Sequence, residues 1–302
     1  MKKLTALLLG VAGFAMGNAF ADASSMMNSV NSTVSSATVS LKESASKIEG
    51  VADIDFNSEY IYRGKKEAQA SMNPAMRAQM PVWMGSAYAG TWMNFPVAQE
   101  NVNNEIRFNT GYELPLTMLP VMSDVFTADL GYTYYWYLNN HLGMPNSGTY
   151  QPLSRSNEIY IGLLAKCIAN PAAYLFYDFN LEQVVLEGSI SHSFDLGELI
   201  SANGFSLDLG ARAGWLHANA YNGDLRPVDV NKWHNSYGYA QGDIELAYAL
   251  NEVAKVGVGF HVAGNTDGTG SFTSTEGNQV IPANTGNHTA FAWWSINTSY
   301  RF

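Results

Sequence analysis

From residue 49 to its last residue, Phe302, the chain returns again and again to one pattern, in which apolar and polar side chains alternate with a period of two. Between Asp53 and Arg63 one parity reads Asp53, Asp55, Asn57, Glu59, Ile61, Arg63 and the other Ile54, Phe56, Ser58, Tyr60, Tyr62. Successive side chains of a β-strand point to opposite faces, so this pattern predicts strands with one apolar and one polar face. The dyad recurs in Glu105 to Glu113, in Asp243 to Ala249, and in Ala254 to His261. Strands are predicted at 51–63, 74–84, 87–96, 104–114, 125–138, 156–167, 172–180, 183–195, 205–217, 235–250, 254–264 and 289–302, twelve in all. The connections alternate: Gly85-Ser86, Asn170-Pro171 and Asn251-Glu252 are short, whereas those near 64–73, 139–155, 218–234 and 265–288 are longer and polar. Short turns at one end and long loops at the other are the asymmetry of a membrane-spanning barrel. The expected fold is all-β, an antiparallel transmembrane β-barrel of twelve strands.

A soluble sandwich of strands would show the same alternation. The amino terminus and the aromatic residues separate the two. Lys2 and Lys3 precede an almost wholly apolar run from Leu4 to Phe14, and Ala19-Phe20-Ala21 has the small-x-small form of a cleavage site. Residues 1–21 are therefore expected to be an export signal and the mature chain to begin at Asp22. That run is too short for an ordinary membrane helix, and no later segment offers the roughly 20 apolar residues one needs. The signal contains no cysteine, which predicts an amino terminus without lipid, and Cys167, the only cysteine, has no partner for an internal disulfide. Tyr60, Tyr62, Tyr132, Tyr134, Trp136, Trp215, Trp294 and Tyr300 fall at apolar-parity strand ends, where they are expected to form two interfacial girdles. The expected home is a bacterial outer membrane, with Phe302 as the terminus read by the barrel-assembly machinery.

The polar parity then describes the inside of the barrel. Charged residues make up only 14% of the chain and aromatics 13%, and mean hydropathy is -0.09, the balance expected when polar and apolar residues interleave. The acids Asp53, Asp55, Glu59, Glu105, Glu113 and Asp129 are expected to line the lumen. Glu158, Asp178, Glu187, Asp208, Asp243 and Glu245 continue the series. The bases Arg63, Arg77, Arg107, Lys166, Arg212, Lys255 and Arg301 share that face, leaving a net charge of about -5 inside the wall. Formal net charge is -10 for the whole chain, which argues against a nucleic-acid partner. A water-filled passage with mild cation preference follows, because rings of carboxylates favour cations. The competing reading is an interior crosslinked by ion pairs that conducts little.

Ser58-Glu59-Tyr60-Ile61-Tyr62-Arg63-Gly64, followed after a Pro74-led strand by Tyr88-Ala89-Gly90-Thr91-Trp92, resembles the bacterial Gcw_chp family of outer-membrane proteins of unassigned function. The likeness spans most of 51–302 and rests chiefly on its first hundred residues. It implies a barrel and an outer-membrane home, and it brings neither a substrate nor functional residues. After Gly64 this chain has Lys65-Lys66-Glu67 where the family leads one to expect a small apolar residue and a Ser. The first loop therefore departs from the pattern of that family, and its role is expected to differ.

Other chemistry is weaker. Inward Tyr135, Tyr137, Tyr160, Tyr174 and Tyr239 offer stacking surfaces for sugars or aromatic solutes, or simply fill the lumen. Asn265, Asp267, Thr269 and Glu276 mimic the spacing of a calcium loop, but Asn stands at its first position, Thr at its fifth, and no helices flank it. A flexible polar loop is the better reading. Of His141, His192, His217, His234, His261 and His288, only His192 sits beside hydroxyls, Ser191 and Ser193, and adjacent strand residues face opposite ways. A membrane-embedded hydrolase is therefore the third reading, with a partner from a neighbouring strand. In the Ser-rich segment 22–48, Met27, Val34, Leu41 and Ile48 recur every seven residues, as on an amphipathic helix, although the composition equally suits a disordered periplasmic tether. The expectation is a diffusion channel for small hydrophilic solutes, a single barrel or a trimer, without cofactor. A closed structural barrel acting through its extracellular loops is the runner-up.

Overall fold

The computed structural model of the protein describes residues 48–97, 104–117, 125–138, 155–197, 203–218, 236–266, 273–276, 279–282 and 290–302. The expected signal at 1–21 and the segment 22–47 lie outside them. The strands are β1 (Glu49–Asn57), β2 (Tyr60–Tyr62), β3 (Lys65–Ala68), β4 (Ser71–Val82), β5 (Gly85–Pro96), β6 (Glu105–Pro115), β7 (Phe126–Tyr137) and β8 (Arg155–Ala165). They continue with β9 (Ala172–Asp178), β10 (Gln183–Asp195), β11 (Phe205–Ala218), β12 (Ser236–Ala249), β13 (Ala254–Asn265), β14 (Thr273–Glu276), β15 (Gln279–Pro282) and β16 (Ala290–Arg301). Twelve of these, β1, β4 to β13 and β16, form a closed barrel in which every wall pair is antiparallel. Closure is made by β1 against β16, with Val51 opposite Arg301 and Asn57 opposite Ser295. Closure leaves no free sheet edge, so every wall strand has both flanks paired.

One face of each wall strand is apolar and exposed. Ile54, Leu130, Ile161, Leu186, Ile244 and Val258 are each about half exposed or more, and all point outward. Together with their neighbours they form a band that only hydrocarbon can cover, since water would leave it as unfavourable apolar surface. Trp136, Trp215 and Trp294 stand on this outer face near the loop ends of their strands, and Tyr300 and Phe302 near the turn end. Tyr60 and Tyr62 do not belong to these girdles.

The inner face carries tyrosines laid over glycines. Tyr88, Tyr160, Tyr174 and Tyr239 are the register partners of Gly111, Gly131, Gly162 and Gly214, and a Cβ at any of those glycines would lie within 2.2–2.4 Å of the tyrosine side chain. Each ring covers the bare backbone of the neighbouring strand, a device that pins register where a glycine would otherwise leave it loose.

The twelve wall strands fall where period two predicted them, to within a few residues at each end. The first is the exception. The alternation runs unbroken to Arg63, but β1 stops at Asn57 and the chain turns inward into the β2/β3 hairpin before β4 begins. Arg63, with φ of 49°, and Gly64, with φ of 74°, occupy the left-handed region at the hairpin tip. Local alternation cannot report a bend of this kind, because the hairpin is itself two short strands.

Candidate functional site

The hairpin is the first connection on the loop-rich side, and it lies in the lumen rather than outside it. Its contacts reach most of the wall. Arg63 Nη2 donates to Glu158 Oε2 of β8 at 2.8 Å, and its guanidinium sits 5.2 Å from the ring centre of Phe176 on β9. Tyr62 and Tyr135 of β7 share a hydroxyl contact of 3.2 Å. Arg107 of β6 donates from Nη2 to Tyr60 Oη at 2.6 Å and from Nε to Glu105 at 2.5 Å. The Lys65 ammonium lies 4.6 Å from the ring centre of Tyr237 on β12, and Asn265 at the end of β13 donates to the Gly64 carbonyl at 2.6 Å. Ile61 packs with Ala263 of β13 and Trp293 of β16. Between the tip and the wall remains a cavity of about 20 Å³ bordered by Tyr62, Arg63, Tyr135, Asp178, Gln183 and Tyr237, room for about one water.

Burial divides the lumen into two zones. On the loop side the side chains of Arg63 and Glu158 are 10% and 3% exposed, and Lys65 is 1% exposed. On the turn side Arg77 and Glu113, joined at 2.5 Å between β4 and β6, remain 45% and 29% exposed. Lys255 and Asp208, joined at 2.6 Å between β13 and β11, are comparably open, and Ser193 donates to the same Asp208. The loop-side half is packed around the hairpin. The turn-side half is a polar chamber.

The expected lumen residues divide accordingly. Glu105, Arg107 and Glu158 hold the hairpin, whereas Asp53, Asp55, Arg77, Glu113, Asp208, Arg212, Asp243, Glu245 and Lys255 face the chamber. Asp129 lies between these zones, accepting from Tyr88 at 2.7 Å and Tyr174 at 3.1 Å. Three positions differ from expectation. Glu59 and Arg63 belong to the hairpin and its base, not to a wall strand, because β1 ends at Asn57; Glu59 pairs with Lys66 at 2.6 Å. Lys166 follows the end of β8 at Ala165 and stands exposed in the turn. Tyr60 and Tyr62, read as girdle residues, are instead the hairpin's own docking groups. The dipeptide Arg63-Gly64 inside an apparent strand was the local signal of a turn.

His192 lies on the outer face, edge-on to Phe194 with ring centres 4.3 Å apart, while Ser193 faces the lumen. Asp267 and Thr269 of the calcium-like loop lie outside the described residues, as do the side chain of Glu276, His141, His234 and His288. Among the described residues no group of three or more His, Cys, Asp or Glu is arranged to hold a metal ion.

No protein-family model matches the chain. No characterised protein matches it in sequence. Among solved structures, the NanC porin is similar over 82% of this chain and 98% of its own, with 9% identity and a TM-score of 0.48. The KdgM porin is similar over 84% and 99%, with 9% identity and a TM-score of 0.42. LpxR from Salmonella typhimurium is similar over 83% and 99%, with 7% identity and a TM-score of 0.41. At these values the likeness extends to no solute and no reaction.

Proposed function

We propose that the protein is an outer-membrane channel for passive diffusion of small hydrophilic solutes, narrowed by its own first loop and mildly selective for cations. The observation that carries this reading is the two-zone lumen. A barrel crosslinked purely for stiffness would be dry from end to end, whereas the Arg77–Glu113 pair stays open to water at 45% and 29% exposure. Hydrated ion pairs of this sort add little stability, which leaves solute contact as their use. Cation preference rests on the chamber's acids, Asp53, Asp55, Glu113, Asp208, Asp243 and Glu245, which outnumber Arg77, Arg212 and Lys255. Diffusion through the passage requires no turnover chemistry.

Kinship with the Gcw_chp family belongs to the same proposal. Its supporting observation is that the residues carrying the resemblance converge in the lumen: the rings of Tyr60 and Trp92 are 5.3 Å apart, and Arg107 lies 4.3 Å from the Trp92 ring centre. Recognition of Phe302 by assembly machinery, a periplasmic position for 22–48, and a single or trimeric barrel complete the picture.

The close docking of the hairpin tip favours a second reading, a barrel shut at rest that acts through its loops. Conductance separates the two. The full chain refolded into planar bilayers is expected to carry steady current, with a reversal potential in a salt gradient of the sign set by cation selectivity. Silence from a barrel whose folding is verified by heat-modifiable gel mobility would overturn the channel reading.

A further inference from the structure

At mid-height in the wall, three side chains from three successive strands form a hydrogen-bonded series. His261 Nδ1 on β13 is 2.7 Å from Asp243 Oδ1 on β12, and His261 Nε2 is 2.8 Å from Ser295 Oγ on β16. An ionised carboxylate can only accept, so in its neutral form the imidazole carries its proton on Nδ1 and turns the Nε2 lone pair to the serine hydroxyl. This is the tautomer of a base placed to take the Ser295 proton. Gln241 Nε2 also donates to Asp243 Oδ1 at 2.7 Å, and the Trp293 ring stacks on the imidazole at 5.0 Å with planes 19° apart. Carboxylate and ring are both held in orientation.

Two further observations go beyond a plain crosslink. A Cβ at Gly259 would lie 2.5 Å from Ser295 Oγ and 2.6 Å from His261 Nε2, so the bare backbone at that position is what gives the pair room. Asn57, the register partner of Ser295 on β1, faces the same side, and one of its amide hydrogens is used on Asn73 at 2.8 Å. Its amide carries a second N–H on the same face of the sheet as Ser295, and an amide N–H is the type of group that stabilises an oxyanion.

We propose that Ser295 and His261 are catalytic residues, with Asp243 as a positioning residue, of a site that hydrolyses carboxylic esters of small hydrophilic solutes within the lumen. In the first step the Ser295 proton passes to His261 Nε2 as Oγ bonds to the ester carbonyl carbon. The carbonyl–alkoxy bond then breaks, and the departing alcohol takes the proton from His261. Water gives a proton to His261 and attacks the acyl-serine; the acid leaves, and Ser295 recovers its proton. Small polar esters fit because the adjoining chamber is polar. Ser295 itself is only 4% exposed, and Trp293, stacked on His261, shares an apolar cluster with Ile61 of the hairpin, so entry of an ester requires this packing to open.

The test uses the full chain, refolded in detergent micelles, a fluorophosphonate probe and p-nitrophenyl acetate. Mass spectrometry is expected to place the phosphonyl adduct on Ser295. Ester turnover is expected to fall by at least about 100-fold in Ser295→Ala and in His261→Gln. Asp243→Asn is expected to lower turnover while heat-modifiable mobility is unchanged, because the wrong tautomer is then favoured. Absence of an adduct on Ser295 in the folded wild-type barrel, or an adduct formed equally fast in His261→Gln, would overturn the proposal. The labelling needs no variant to fold, and it reads independently of whether the barrel conducts.

Discussion

Arg63 and Glu158 meet at 2.8 Å across the lumen although 95 positions separate them in the chain, and both are almost wholly withdrawn from water. The arginine comes from the tip of a hairpin that hangs between β1 and β4, and the glutamate from β8 on the wall beyond. Removing one partner of such a buried pair leaves the other charge uncompensated, at a cost of about 3–5 kcal/mol. Glu158→Ala is therefore expected to undock the hairpin while the wall stays closed. Trypsin reads this directly: Arg63, Lys65 and Lys66 are protected when the hairpin is docked, and Glu158→Ala is expected to be cut there. Equal resistance in both proteins would refute the role of the pair.

Gly64 provides a second route to the same result. Its φ of 74° is strained for any other residue, and a Cβ would lie 2.6 Å from Tyr239 Cβ and 2.8 Å from the Gly264 carbonyl oxygen. Strain alone costs about 1–2 kcal/mol, and the clash with backbone adds to it. Gly64→Ala is expected to speed hydrogen exchange over residues 60–68 with the barrel amides unaffected.

Selectivity should follow the chamber's charge. Asp53 and Asp55 lie on the lumen face of β1, opposite Ser299 and Asn297. Asp53→Asn together with Asp55→Asn removes two negative charges and is expected to move the reversal potential in a salt gradient toward zero. Lys255→Gln, which frees Asp208, is expected to move it the other way.

The outer band makes a claim about stability. Val258 is 58% exposed and pairs across the sheet with Leu246 and Ile296, which are also exposed to the outside. Val258→Lys is expected to destabilise the folded barrel in lipid vesicles by about 2–4 kcal/mol if that position lies at the bilayer midplane. Urea unfolding midpoints measure this, and an unchanged midpoint would place the band elsewhere.

How much of this was legible beforehand depends on the range of the interaction. The alternation that defines the wall is local, so the number of strands, their order and the face of Asp208 or Lys255 could be read from single segments. The Arg63–Glu158 and Tyr62–Tyr135 contacts depend on a hairpin crossing a lumen whose curvature only the closed barrel sets. Because β2 continues the parity of β1, Tyr60 and Tyr62 read as outward girdle residues when they face inward. The series Asp243, His261 and Ser295 was hidden for another reason: each residue is unremarkable in its own strand, and only the register of β12, β13 and β16 brings them together.

The most direct test of the account is the single-channel conductance of the full chain against a chain in which residues 60–68 are replaced by a short Gly-Ser connection. If the hairpin is the constriction, the replaced barrel carries a stable current several times that of the wild type, with cation preference retained by the chamber. Equal conductance in the two, with both barrels folded by heat-modifiable mobility, would contradict it.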